Sequence, residues 1–244
     1  IVKSVNYRRF TFQSNSDAQV LKWLKFSNNI TFSADTKKSG SYNIGDALKA
    51  LPIYPVKNED GSWSGPDGNS EWYGSTRNPI GPTELNKSQT DGYNFLANLT
   101  AELTFTKWLK FKSTFGYDAK FWFIDNFTPK YNWKPTPTEE TSRYKSDNKS
   151  FTYLWDNYFL FDHTFAENHR GGLMAGMSAQ WNTNDYLNAQ KNVFMFDNVH
   201  EMDNGEEMYA IGGNETEWAL LSYMARVNYS YEDRYLLTAT IRRD

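Results

Sequence analysis

Three histidines are the first side chains to consider for chemistry, because histidine serves both as a metal ligand and as an acid or base near neutral pH. His163 and His169 flank a predicted turn, and His200 lies in a predicted loop. Their scatter along the chain predicts solvated side chains and no metal site. The absence of cysteine excludes disulfides, thiolate metal sites and cysteine nucleophiles.

The carboxylates form no catalytic pair. Asp156 and Asp162 share one face of a predicted strand, but they lie about 20 Å apart along it, which is too far for a general acid and base. The segment GSWSG at 61–65 resembles a nucleophile elbow only superficially, since its serine is misplaced. The acidic run DNGEE at 203–207 lacks the spacing of a calcium loop. The sequence therefore predicts no catalytic residue, no metal site, no cofactor and no enzyme activity.

The composition is unusual in its aromatic content. Phe, Tyr and Trp make up 17% of the 244 residues, within a hydrophobic total of only 39%. The net charge of −3 provides no basic field for nucleic acid. The mean hydropathy of −0.74 fits no transmembrane helix, but strands that alternate polar and apolar residues can cross a membrane in such a sequence.

Alternation with a period of two residues predicts strands along most of the chain. Three strong hairpins cover about 93–123, 151–181 and 219–241, and a weaker one covers about 10–32. The pentapeptide KWLKF occurs at both 22–26 and 107–111, each time at a predicted turn. Each strong strand spans about 12–15 residues, enough at a tilt near 45° to cross a hydrocarbon core of about 30 Å.

The connections fall into two classes. Short turns are predicted near 22, 107, 168 and 233, and long loops over roughly 35–92, 124–150 and 184–217. Short turns on one side and long loops on the other are typical of outer-membrane barrels. The fold class predicted is all-β: about eight consecutive strands of an antiparallel up-and-down transmembrane β-barrel. A soluble β-sandwich, whose alternating faces would cover a core, remains the alternative fold.

Two sets of side chains are candidates for contact with a transported molecule. Aromatic side chains of the long loops could stack on sugars or clamp a peptide, although loop packing explains each of them as well; they are Trp63, Trp72, Tyr73, Tyr131 and Trp133. Polar side chains on the face opposite the apolar row are predicted to face the barrel lumen; they are Asn94, Asn98, Glu102, Lys110, Lys112 and Lys120.

Two stretches carry a specific family resemblance. Residues 226–244, RVNYSYEDRYLLTATIRRD, resemble a barrel hairpin of SusC/RagA-like TonB-dependent transporters of Bacteroidetes in both strands and the turn. Residues 47–56, ALKALPIYPV, followed by EDGSW at 59–63, resemble an extracellular segment of that family with a short helix, a proline pair and an acid–glycine turn. The hairpins between them are similar in pattern.

The resemblance implies a barrel of about 22 strands with a plugged lumen. Residues 1–244 would form part of this one domain, and the plug, signal peptide and C-terminal strand are expected to lie outside the sequence. The implied function is TonB-dependent import of an oligomeric glycan or peptide across the bacterial outer membrane. The implied partners are a SusD-like lipoprotein, TonB–ExbB–ExbD acting through the plug, outer-membrane lipid and the substrate. A passive porin or small barrel, and less strongly a secreted carbohydrate-binding sandwich, are the alternatives.

Overall fold

The computed structural model describes residues 5–40, 42–65, 78–131, 137–196 and 200–244. These residues form eight strands, two short helices and one 3₁₀ turn, Met202–Asn204. The strands are β1 (Asn6–Leu21), β2 (Leu24–Ser39), β3 (Lys87–Thr106), β4 (Leu109–Thr128), β5 (Ser142–Phe165), β6 (His169–Phe194), β7 (Gly205–Tyr231) and β8 (Tyr235–Arg243). The helices, α1 (Ile44–Lys49) and α2 (Gly81–Leu85), both lie between β2 and β3.

All eight strands belong to one antiparallel sheet in the order of the sequence. The four predicted turns are present, at 22–23, 107–108, 166–168 and 232–234. The two KWLKF segments make equivalent bonds: the carbonyl of Trp23 accepts the amide of Thr104 at 2.8 Å, and that of Trp108 accepts the amide of Asp162 at 3.0 Å. The up-and-down arrangement predicted from the sequence is confirmed.

The strands are longer and the loops shorter than the sequence predicts. Strands β3 to β7 contain 20 to 27 residues, and the β6–β7 connection covers only 195–204 instead of 184–217. The alternation ends where apolar residues end, but the backbone hydrogen bonds continue through polar positions such as Asp185, which is paired with Glu215. Hydropathy therefore marks the apolar band, and the ladder extends beyond it.

The sheet has one apolar and one polar face. One hydrogen-bonded row on the apolar face reads Leu103, Phe111, Phe159, Ala175 and Ala225. Another row, on the polar face, reads Thr100, Thr114, Asp156, Ser178 and Ser222. Because side chains alternate between the faces, this register keeps the two sets apart over the whole width of the sheet.

The apolar band crosses the hydrogen-bonded rows obliquely. One row, from β2 to β6, reads Ala34, Tyr93, Phe121, Lys149 and Asp185. The main apolar row of β2 ends at Ala34, but that of β6 ends at Trp181, four residues short of Asp185, with Leu187 and Ala189 separated from it by Thr183 and Asp185. A step of about one residue per strand, with a rise of about 3.3 Å and a spacing of about 4.8 Å, corresponds to a tilt of about 35°. Barrel strands tilt by about 35–45°.

The described residues contain almost no apolar core. Ala119, Phe127 and Phe194 are the buried apolar side chains among them, and many aromatics of the apolar face are exposed, including Trp155 and Trp181. A sandwich needs a second sheet packed on the apolar face, but the described strands all join one sheet. The sandwich interpretation is therefore wrong for this part of the chain. No described helix is long and apolar enough to cross a membrane.

The segment between β2 and β3 has a folded structure of its own. Helix α1 begins where Asn43 accepts the amide of Gly45 at 2.9 Å, and Gly61 adopts φ +83° in the turn that follows. Asn78 is buried; its Nδ2 donates to the carbonyls of Val56 and Ser64, at 2.8 Å each. The short helix and the acid–glycine turn that the resemblance implied are both present.

Candidate functional site: the polar face and the loop end

The six predicted lumen residues share the polar face of β3 and β4. Glu102 is paired with Lys112 and Asn94 with Lys120 in the β3–β4 register, and the remaining two positions have the same parity. The structure thus brings together on one face residues that are up to 26 positions apart, because the hairpin folds β4 back along β3. That this face lines a lumen remains a prediction.

Charge pairs divide this surface into neutral and cationic positions. The Nζ of Lys110 lies 2.8 Å from Oε1 of Glu102, and the Nζ of Lys120 lies 2.8 Å from Oδ2 of Asp118. Lys112 has no ion-pair partner among the described residues. Partly exposed ion pairs contribute little to stability, so these charges matter chiefly for the polarity of the surface.

Asp156 and Asp162 both occupy the polar face, as predicted, but their environments differ. Asp162 accepts two hydrogen bonds from Arg170, at 3.1 and 3.0 Å, close to the turn between β5 and β6. Oδ1 of Asp156 is buried and has no hydrogen-bond partner among the described residues. The arrangement gives this wall polarity and no acid–base pair.

The polar face also carries apolar side chains, which the sequence interpretation did not include. Apolar positions occur on its β5, β6 and β7 strands; they are Leu154, Leu160, Met174, Leu220 and Met224. A face that contacts only bulk water would leave this group of apolar side chains exposed, which is unfavourable because burying apolar area lowers the free energy. The polar face is therefore mixed in character on β5, β6 and β7, and polar at the six candidate positions on β3 and β4.

The loop aromatics have separate local environments. Trp63 is half-buried, bridges to Lys57 through the backbone, and has the Nζ of Lys57 4.4 Å from its ring centroid. Tyr131 is bound through backbone hydrogen bonds to Thr138, at 3.1 and 2.9 Å. Trp72, Tyr73 and Trp133 lie outside the described residues. For Trp63 the observed contacts favour loop packing.

A charged and aromatic cluster was not predicted from the sequence. It lies at the loop end of the sheet, where the strands adjoin the longer connections. Arg143 forms a bidentate pair with Asp125, at 2.9 and 2.7 Å, and Nη1 of Arg143 donates to the carbonyl of His200. The ring of His200 stacks on buried Phe127, with centroids 4.1 Å apart. The one sequence signal was Phe127, which continues the odd-numbered aromatic positions beyond Phe123.

This cluster corrects the interpretation of the histidines. His200 is partly buried against Phe127 and not solvated. His169 and His163 flank the turn as predicted, and Nδ1 of His169 lies 2.5 Å from the hydroxyl of Tyr229. Within the described ranges, no three His, Asp or Glu side chains are grouped so as to hold a metal ion.

Asp125 and Arg143 lie beyond the apolar band, where the neighbouring residues are charged. The Arg143 guanidinium, hydrogen-bonded to the carboxylate, holds the pKa of Asp125 below its usual value. The same hydrogen bonds raise the pKa of Arg143. Both groups are therefore charged at neutral pH, and the pair ties the loop ends of β4 and β5 together.

Comparison with known proteins gives consistent relatives in sequence and fold. The chain is 28% identical over its whole length to TonB-dependent receptor P26 of Formosa agariphila, and matches 25% of that protein. It is 25% identical over its whole length to TonB-dependent receptor SusC of Bacteroides thetaiotaomicron, and matches 26% of it. No family model matches the chain. The chain thus spans about a quarter of the length of these curated relatives.

Among solved structures, the RagAB peptide transporter superposes with a TM-score of 0.80 at 17% identity, over 98% of this chain and 28% of that one. The RagAB peptide importer in its open-open state also gives a TM-score of 0.80, at 18% identity, over 98% and 27% of the two chains. This likeness concerns the fold. Over its whole length the chain is therefore similar in sequence to proteins named TonB-dependent receptors, SusC among them, and its eight-stranded sheet has the fold of the corresponding part of the RagAB transporter.

Proposed function

We propose that this chain forms part of the wall of an outer-membrane importer that takes up an oligomeric nutrient, a glycan or a peptide, with energy supplied through TonB. The observation that carries the proposal is the two-faced, single-layer sheet. Its apolar face has the tilt and aromatic borders of a lipid-facing barrel surface. Its polar face carries the six candidate residues on β3 and β4 and would line the lumen.

The apolar positions of the polar face favour a plugged lumen over an open pore. Leu154, Leu160 and Met174 lie on the polar face of β5 and β6, which would be the inward wall. The interior of an open porin is a polar, water-filled channel, whereas a folded plug can pack against an apolar patch. The whole of residues 1–244 would be barrel wall, and the plug would come from another part of the longer protein.

The proposed partners follow from the relatives. SusC is a TonB-dependent receptor and RagAB is described as a peptide importer. By analogy, a SusD-like lipoprotein would cover the extracellular mouth, and TonB–ExbB–ExbD would act on the plug. Substrate would be held between the lid, the plug and loops such as those bearing Trp63 and Tyr131. The wall itself would perform no covalent chemistry.

An uptake assay tests this proposal. Cells that produce the full-length protein, and cells that lack it, are given fluorescent oligopeptides or oligosaccharides, with and without a protonophore. We expect one of the two substrate classes to enter only when the protein is present and only when the membrane is energised. Entry that persists after the protonophore, at equal rates for small solutes of any kind, would indicate a passive pore and contradict the proposal.

A charge-reversal variant tests whether the substrate passes along the polar face of the sheet. Lys112→Glu on the polar face should change uptake of a charged substrate, because Lys112 has no ion-pair partner in the described part of the chain. Lys149→Glu, on the opposite, apolar face, is the control away from the route; unlike Lys112, Lys149 is paired with Asp185, at 3.4 Å, so its stability is measured beside its uptake. Equal effects of the two variants would argue that the polar face is not the route.

A further inference from the structure

A cavity of about 480 Å³ lies at the loop end of the apolar face. This rim cavity is defined by Lys38 of β2, Asp91 of β3, Asp125 of β4, Glu84 of α2, and Asn86 and Lys87 beside α2. Lys38, Asp91 and Asp125 have the parity of the apolar row and lie just beyond its last apolar residues. The cavity is therefore on the face opposite the polar wall, outside the proposed import route.

The cavity has a rigid floor. Phe127 is 6% exposed, packs edge-on against Phe194 with centroids 6.2 Å apart, and stacks on His200. The bidentate pair of Arg143 with Asp125 joins β4 to β5 beside this ring. A floor already held by packing and hydrogen bonds loses little entropy when a ligand binds.

Polar groups of the cavity have unused hydrogen-bonding capacity. Oδ1 of Asn86 and Nδ1 of His200 are both buried without a hydrogen-bond partner among the described residues. Lys38, Glu84 and Lys87 have no ion-pair partner within the same described ranges. Buried polar atoms are nearly always satisfied in folded proteins, by protein, water or ligand, so these two atoms are available to hydrogen-bond a water or a polar ligand.

The charges of the cavity indicate the class of that molecule. Three carboxylates, Glu84, Asp91 and Asp125, and three cations, Lys38, Lys87 and Arg143, line the cavity together. An anionic ligand would meet the carboxylates, and a cationic ligand would meet the cations. A neutral polyhydroxyl ring suits both kinds of group, because each hydroxyl can donate and accept, and Phe127 is the aromatic residue of the described lining.

We propose that the rim cavity binds a sugar residue on the outside of the barrel. Its position beside the outer leaflet rests on the proposed function, since that function places the apolar face in lipid. Two sources carry this chemistry: the headgroup of an outer-leaflet glycolipid, and a soluble oligosaccharide.

Binding is measured on the full-length protein purified in detergent. The probes are a glycolipid with an uncharged oligosaccharide headgroup and the same oligosaccharide without its lipid chains, each titrated by thermophoresis. We expect at least one probe to bind. Lys38→Ala and Asn86→Ala should each weaken binding about three- to tenfold, as expected for one lost hydrogen bond. Lys37→Ala, next in sequence but on the opposite face, should leave binding unchanged.

The pattern of binding of the two probes either identifies the source of the sugar or overturns the proposal. Binding of the intact glycolipid alone assigns the site to membrane lipid, and binding of both probes assigns it to the sugar itself. Failure of both probes, or equal weakening by Lys37→Ala and Lys38→Ala, overturns the proposal. Uptake measured on the same variants separates the two proposals, because a protein that binds sugar at the rim but imports nothing would contradict the proposed function alone.

Discussion

Leu99→Arg tests which face of the sheet meets lipid. Leu99 lies on the apolar face of β3, six residues from Tyr93 and six from Phe105, the aromatic ends of its apolar row. At a tilt of about 35–45° this places it about 15 Å from each end, near the middle of the band. An arginine there would be among the costliest substitutions that the strand could carry.

The size of the loss in folding free energy depends on how deep the arginine lies in the apolar band. Arginine at the bilayer midplane of a barrel costs about 2–4 kcal/mol. Asn28 pairs with Leu99 across the β2–β3 ladder and offers one acceptor for the guanidinium, so we expect the lower part of that range. A cost of about 2–3 kcal/mol corresponds to a roughly 30- to 150-fold loss in the folding equilibrium.

The assay is a denaturant titration of the full-length protein in lipid vesicles, with the folded fraction read from its heat-modifiable mobility on a gel. Asn98→Arg, one residue away on the polar face, and Thr183→Arg, on the apolar face at the edge of the band, are the matched controls. Both should cost less than about 1 kcal/mol. An Asn98→Arg cost equal to or above that of Leu99→Arg would refute the assignment of the faces.

Four further predictions concern the sheet. Gly176→Ala would place a Cβ in steric conflict with the carbonyl oxygen of Asn157, so we expect a loss of about 1–3 kcal/mol, while Gly212→Ala, whose Cβ has no neighbour nearer than 3.5 Å, should be tolerated in the same titration. Arg143→Lys, which keeps the charge but loses the bidentate pair with Asp125, should speed hydrogen exchange at the loop ends of β4 and β5 by about tenfold. That pair should also weaken in acid, because the folded pKa of Asp125 is lowered. Its stabilisation is present above the unfolded pKa of about 3.9 and is lost as pH falls through the folded value. Protection from exchange that stays the same as the pH is lowered from neutral through and below both pKa values would contradict the prediction. Residues 1–244 expressed alone should not elute as a soluble monomer, because β1 and β8 are exposed edge strands and the apolar face is uncovered, and a monomeric peak without detergent would be the opposite result.

The strand faces and the hairpins were predictable because they depend on local pattern. The two-residue period alone assigns Asn98 and Leu99 to opposite faces of the strand. A short turn then fixes the register of the hairpin. The turn at 107–108 pairs Thr106 with Leu109, and counting from there sets Glu102 opposite Ser113; the observed pairing with Lys112 depends on the register shift between Thr104 and Thr106. The six polar-face candidates therefore came together as expected.

The loop end was not predictable from the same pattern. Alternation marks only the part of a strand that has one apolar face, so the mainly polar extensions of β6 and β7 beyond Trp181 gave no signal although their backbones remain paired. The contact of His200 with Phe127 joins residues far apart in sequence through a loop whose path no periodicity describes. The apolar patch with Leu154 and Met174 on the polar face was also hidden, because scattered apolar residues in a mainly polar series do not change its period.

Native mass spectrometry of the protein extracted from its source membranes in detergent tests the central claim most directly. It reports the mass of the chain and its bound partners in one experiment. The curated relatives are about four times as long as this 28.4 kDa chain, so we expect a chain several times that mass, accompanied by a second, lipidated subunit. A lone chain near 28.4 kDa would indicate a small self-closed barrel and would contradict the importer proposed here.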